Sequence, residues 1–421
     1  MSTISTARSF RFRYLLYLFT VGVAVAVHAR NTAVPVRSTD INTNSEPPAA
    51  AVPDPVSDVA AIDIAAIERD RILRLAAEAL ATEPVTITKY RAKFSQGGPN
   101  DFYSNGDYWW PNPKGPTGLP YVRRDGETNP GNFFDHRRCL VQLRDNVSAL
   151  AAAYKITGNN RYATTAAEWL KVFFLDASTR MNPNLHYAQA IPGVSAGRSI
   201  GIIDSLPLVE VPKAIEAVQR SPQFPPAVAD GVKEWFADYL NWMVTSTNGQ
   251  DTAELPDDHA VMYWLQVAVY ATYVGDEDEL NSCHNRFKYY FLSNQMAPDG
   301  SFPKEFARSN PYGYSICQLD NLALMCHVLS DTNDNLWNFT LPDKGGIRRA
   351  VDYMYPYLED KSKWPKKAEG NWPTRQANLL FAALAYNDPR YIALWRKLEP
   401  DPSDEEVRRN LCVTQPVLWL K

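Results

Sequence analysis

Cysteine is scarce in this chain: five thiols among 421 residues, at positions 139, 283, 317, 326 and 412, are too few for a disulfide framework. One or two bridges remain open, and the odd count leaves at least one thiol over. There is no CxxC pair, no HExxH and no clustered His/Cys set, so neither a metal site nor a cofactor is expected. Basic charge is not in excess. A formal net charge of −4 argues against a dedicated nucleic-acid binder. Strand-type alternation is sparse. An apolar run of membrane-spanning length is also missing, since the stretch from Tyr14 to Val27 falls short of the about 20 residues a span needs.

That short run still has a meaning. Arg8, Arg11 and Arg13 precede it, and Ala24-Val25-Ala26 and Val27-His28-Ala29 offer small-residue cleavage sites. Residues 1–29 therefore read as a signal peptide, with an uncleaved anchor as the alternative. The expected location is secreted or periplasmic, with no stable membrane association after cleavage. Residues 30–57, rich in Pro, Ala, Asn and Ser, read as a disordered linker. Residues 58–421 read as one domain.

That domain carries helical periodicity throughout. Ile64, Ile67, Ile72 and Leu75 share a face, as do Leu143, Val147, Leu150 and Tyr154. Gly158-Asn159-Asn160 stops the second pattern, and Tyr162, Ala166, Trp169 and Phe173 start another. The layout of helix, short turn and helix recurs around Gly275-Asp276 and around Asn387-Asp388-Pro389. Stacked antiparallel helix pairs predict an all-α fold, an incomplete (α/α)6–7 toroid with long functional loops.

The loops at 95–135 and 181–200 are long enough to suggest function. The first holds Trp109 and Trp110 beside Arg123 and Arg124. Flat rings stack on sugars and guanidinium groups pair with carboxylates, so this set suits a chain of acidic sugars. The alternative is that the two Trp pin the loop. The second loop offers Asn184, His186, Gln189 and Arg198, although Arg198 and Asp204 could simply pair to fix it. Gly193-Val194-Ser195-Ala196-Gly197 matches the GxSxG elbow but lacks the strand before it and the helix after it.

Asp257-Asp258-His259 opens a long apolar helix. Either Asp is a natural N-cap, and His259 then lies at a helix mouth. Further on, Pro298–Glu305 and Ala307–Ser315 bring Arg308, Tyr312 and Tyr314 to the start of another helix. A tyrosine can accept a proton as phenolate and return it as phenol.

Taken together, these segments resemble the alginate-lyase family of polysaccharide lyases. The resemblance covers residues 90 to 390. It rests on Gly106–Pro113, Gly118–Gly126, Met181–Gly193, Asp257–His259, Pro298–Glu305, Ala307–Ser315 and Trp372–Tyr386, the last adding Arg375 as a candidate substrate contact. It implies an incomplete α/α toroid with a central cleft, no required metal and an anionic polysaccharide substrate. Carried over by position, it implies His259 and Tyr314 as catalytic residues with Arg308 beside them. The family commonly has Asn before the histidine; this chain has Asp258, so Asn184 or Gln189 is expected to supply the missing amide.

The implied reaction is β-elimination on a 4-linked uronate polymer, most simply mannuronate-containing alginate. Arg308 and His259 would neutralise the carboxylate, and Tyr314, its pKa lowered by neighbouring cations, would act as base and then acid. The rivals are a glucuronan lyase, a glycoside hydrolase on the same toroid, and a glycan-binding protein without catalysis.

Overall fold

The computed structural model describes residues 58–124 and 126–420. The expected signal peptide and linker lie outside the described residues.

Fourteen α-helices occur among the described residues. The first group is α1 (Ile64–Leu80), α2 (Asp135–Thr157), α3 (Asn160–Phe174), α4 (Val211–Val218), α5 (Pro226–Thr245), α6 (Thr247–Ala253) and α7 (Asp258–Val274). The second is α8 (Glu277–Arg286), α9 (Pro303–Phe306), α10 (Pro311–Leu329), α11 (Ile347–Glu359), α12 (Ala377–Tyr386), α13 (Pro389–Lys397) and α14 (Glu405–Asn410). The strands β1 (Tyr103–Asn105), β2 (Trp109–Trp110), β3 (Val122–Arg123) and β4 (Tyr187–Ala190) form two small two-stranded sheets, β1 with β4 and β2 with β3.

The turn chemistry explains the helix pairs. Gly158 ends α2 and Gly275 ends α7 in the left-handed conformation, which glycine adopts without a Cβ clash. Asn387 does the same after α12, Asp388 caps α13 and Pro389 opens it. These three turns fold α2 onto α3, α7 onto α8 and α12 onto α13. The helices α7, α10 and α12 are buried around most of their circumference. Such helices belong to an inner layer, with the one-sided helices outside. Inner neighbours α7 and α10, then α10 and α12, pack against each other. The architecture is an all-α, incomplete toroid of paired helices.

Polar groups lock the inner layer where apolar packing cannot set register. Buried Asp320 on α10 accepts from the Asn378 backbone N–H at 2.8 Å and from its amide at 2.9 Å. Burial pushes that carboxyl up to about 6. Buried Glu210 accepts from Thr414 N–H, Gln415 N–H and the Trp419 indole, tying the C-terminal tail to the segment before α4.

One expected face differs. The buried stripe of α1 runs through Ile64, Glu68, Ile72, Ala76 and Ala79, and Ile67 and Leu75 are only half-buried. Glu68 is tolerated inside because Arg71 and Arg375 both pair with it. All five cysteines are free and buried, so none of the possible bridges forms. No described helix is long and apolar enough to cross a membrane.

Candidate active site

The N-terminal ends of α7 and α10 open on the same side, and a cavity of about 320 Å³ lies over them. At the start of α7, the Asp257 side chain caps the helix by accepting the His259 backbone N–H at 3.2 Å. The same side chain meets His259 Nδ1 at 2.9 Å, and Asp258 Oδ1 meets that nitrogen at 3.0 Å. Burial alone would depress the imidazole pKa. The two carboxylates outweigh it and push His259 up to about 9. His259 is therefore an imidazolium at neutral pH, with its remaining ring edge toward the cavity it lines.

Asp258 is more buried than Asp257 or His259 and also pairs with Arg308 Nη1 at 2.6 Å. Burial opposes its charge, but His259 and Arg308 hold its carboxyl below the usual range. Its negative charge is thus turned onto two cations. The three residues 257–259 bring three potential ligand atoms within 4.8 Å of one another. Because His259 Nδ1 serves both carboxylates as donor, the cluster has the geometry of an ion triad.

Asn310 caps α10 and Pro311 opens it, which places Tyr314 in the first turn. The Arg308 guanidinium lies 3.6 Å from the centre of the Tyr314 ring. The Tyr314 hydroxyl is 2.7 Å from that of Tyr108. The expected lowering of the Tyr314 pKa is overturned: burial raises it, and the opposing pull of Tyr108 and Arg308 is smaller. Burial first, and Tyr314 next, also push Tyr108 well above the usual phenol range. Tyr108 therefore stays protonated and can donate to the Tyr314 oxygen.

The facing wall comes from the loops. In the β2–β3 hairpin Trp109 pairs with Arg123 and Trp110 with Val122. Alternation along a strand sends successive side chains to opposite faces. Trp109 and Arg123 line the cavity, whereas Trp110 stacks on Arg124 at 4.5 Å and donates its indole N–H to the Glu127 carbonyl. Gln189 holds a left-handed backbone, φ 49°, unusual for a residue with a long side chain. Its amide donates to Asp204 at 3.2 Å, and its carbonyl groups accept from Arg198 Nη2 at 2.8 Å and Nε at 2.9 Å. Arg198 thus pairs with Gln189, not with Asp204 as in the alternative reading of this loop, and both Gln189 and Arg198 reach the cavity.

A profile of the alginate lyase family matches residues 86–364, more than half of the chain. The crystal structure of an alginate lyase from Bacteroides ovatus is 32% identical, with a TM-score of 0.73 over 82% of this chain and 92% of that one. The chain belongs to the alginate lyase family. It is a polysaccharide lyase. The structure of alginate lyase A1-III complexed with a tetrasaccharide is 15% identical, with a TM-score of 0.51 over 84% of this chain and 98% of that one, a likeness of fold. No curated protein matches significantly.

On this lyase the cavity gathers His259, Tyr314, Arg308, Asp258, Gln189 and Arg198, together with Trp109 and Arg123. Other sequence candidates lie elsewhere. Tyr312 is buried, and its hydroxyl donates to the Tyr357 carbonyl. Arg375 pairs with Glu68 beneath Trp395. His186 packs edge-on against Trp242, and Asn184 accepts from the His186 N–H; neither lines the cavity. Trp110 and Arg124 cover each other outside it. The GxSxG match is a turn: Ser195 donates to the Gly197 carbonyl, and Gly197 is required because a Cβ there would strike the His186 carbonyl oxygen.

Sequence reasoning missed Tyr108, Glu305, Glu406 and Arg409. Tyr108 sits inside the quoted Gly106–Pro113 segment, and Glu305 lies three residues before Arg308, which are signals of a kind. Glu406 and Arg409 come from α14, beyond the residues that carried the resemblance. Arg409 pairs with Asp107 at 3.1 Å and Glu406 at 2.8 Å.

Proposed function

We propose that this lyase cleaves 4-linked uronate polymers, mannuronate-containing alginate first, by β-elimination. The observation that carries the reading is Tyr314, its hydroxyl held by Tyr108 and its ring covered by Arg308, lining the same cavity as the His259 imidazolium. The C5 proton is poorly acidic while the neighbouring carboxylate keeps its charge. His259 and Arg308 supply the cations that stabilise charge moving onto it. Tyr314, as phenolate, removes the C5 proton and, as phenol, delivers a proton to the departing 4-linked oxygen. Tyr108 donates to the Tyr314 oxygen while it is charged. Of the two amides expected from the sequence, Gln189 lines the cavity and Asn184 does not; the Asn310 and Asn410 amides line it as well.

The charge state of His259 bears on the sugar. An imidazolium has no lone pair with which to act as base. A single residue can be base and acid only where proton and leaving group share a face, as in β-mannuronate and β-glucuronate. This favours polymannuronate over polyguluronate and keeps glucuronan as the second reading. A hydrolase is disfavoured because Asp258 and Glu305 are both committed to Arg308. Incubation with polymannuronate, polyguluronate and glucuronan, followed at about 235 nm, tests the reading. Unsaturated product from polymannuronate supports it. Saturated reducing ends without absorbance contradict it.

Residues 1–29 direct export and are cleaved in this reading, which places the lyase outside the cytoplasm with its polymer; residues 58–421 are its lyase domain. N-terminal sequencing of the protein recovered from its native host tests this.

A further inference from the structure

The charges around the two site cations do not balance. Asp257, Asp258 and Glu305 surround His259 and Arg308. In the reading above, a fourth carboxylate, that of the uronate, must then join. Carboxylates crowded together are commonly relieved by a proton on one of them. The contacts indicate which one. Asp257 is the most exposed of the three and caps α7. Asp258 touches both cations. Glu305 has a side chain only 1% exposed and touches a single cation, Arg308 Nη1, at 2.6 Å through Oε2. Its other oxygen accepts the Asp258 backbone N–H at 2.9 Å. A neutral acid keeps that second bond, because the carbonyl oxygen still accepts, and loses only the pairing with Arg308.

We propose that Glu305 is a positioning residue that takes up a proton when a uronate carboxylate docks, releasing one of the two internal ion pairs of Arg308 Nη1, the other being to Asp258, so that the freed N–H can face the substrate. The proposal rests on the reading of the cavity as a uronate site. The proton comes from solvent, and the only bond made is O–H on Glu305. Burial, with Asp258 adding to it, already pushes the Glu305 carboxyl up to about 7, so the uptake falls in the neutral range. The other groups near Asp258 and Arg308 do not supply it. His259 is already protonated, and burial keeps the Cys317 thiol and the Tyr314 phenol un-ionised.

The test uses the full chain carrying Tyr314→Phe, expected from the proposed function to bind without turnover, and a mannuronate tetrasaccharide. Calorimetry at about pH 7.5 in two buffers of different ionisation enthalpy reads proton uptake, expected at roughly half a proton or more per ligand bound. Adding Glu305→Gln, which mimics the neutral acid, should preserve binding and abolish the uptake. Uptake that persists in Glu305→Gln, or binding by Tyr314→Phe with no uptake, overturns the proposal. If Tyr314→Phe binds no uronate oligosaccharide and the parent enzyme yields no unsaturated product, the reading of the cavity falls, and the proposal with it. Independently of either variant, KM of the parent enzyme should climb toward about tenfold per pH unit above pH 7. A KM that stays flat from about pH 6 to about pH 8.5 also overturns the proposal.

Discussion

The hydroxyls of Tyr108 and Tyr314 meet at 2.7 Å although 206 positions separate them in the chain. One is anchored by the loop before β2 and the other by the first turn of α10. A hydrogen bond to a charged oxygen contributes about 1.5–3 kcal/mol. Tyr108→Phe should therefore lower kcat by about 10- to 100-fold with little change in KM. Combined with Tyr314→Phe it should add almost nothing, because the two act as one unit. Steady-state kinetics of the two single variants and the double variant decide it.

In the proposed reaction, loss of the His259 cation stops the rise in rate at alkaline pH. Its folded pKa, about 9, stands above the ordinary 6.5. The cationic form is therefore complete at neutral pH and disappears as pH rises through about 9. In the proposed reaction Tyr314 acts as phenolate, and its raised pKa makes the rate climb with pH. The expected profile of kcat rises from neutral pH, levels off at about 9 as the imidazolium is lost, and falls only above the raised pKa of Tyr314. The same shift affects stability: the His259 contribution is full below pH 6.5 and is lost as pH rises through about 9. Thermal unfolding in buffers across that range should show the loss in the parent protein and a weaker one in His259→Gln.

The two adjacent tryptophans should separate cleanly. Trp109→Ala removes a ring from the cavity and should raise KM by about tenfold, the order expected for one lost sugar-stacking surface. Trp110→Ala uncovers Arg124 at the loop surface and should leave KM within about twofold of the parent while lowering the melting temperature slightly. Equal effects on KM would contradict the assignment of the hairpin faces.

Arg375 belongs to the scaffold. Arg375→Ala leaves Glu68 buried with Arg71 as its remaining partner. The expected loss is about 1–3 kcal/mol of stability, below the range for a charge left wholly unpaired because Arg71 persists. At a temperature where the variant is folded, kcat/KM should match the parent. Denaturant unfolding combined with kinetics checks both parts.

Local chemistry made much of the fold legible before any coordinates. Gly158, Gly275 and Asn387 are turn residues whose backbone demands are visible in sequence, and the helix pairs follow from them. Of the candidate site, the residues that open helices, His259 and Tyr314, were the legible ones. Tyr312 and Tyr314 show the limit. They sit two positions apart on one helix, so they point in different directions, and only one reaches the cavity. Arg375 and Glu68 illustrate the same difficulty: a charge offered to a cleft in sequence is claimed by a partner on a remote helix. Periodicity does not encode such pairings, nor the return of α14 to place Arg409 against Asp107. The pKa of Tyr314 was misjudged because sequence counts its cations but not its burial.

The central claim is that Tyr314 carries the proton in an elimination reaction. The direct measurement is absorbance at about 235 nm on polymannuronate for the parent enzyme and for Tyr314→Phe, with circular dichroism confirming that both are folded. Steady formation of unsaturated product by the parent and none above background by the variant is the expected result. A folded Tyr314→Phe protein that forms the product at the parental rate would contradict it.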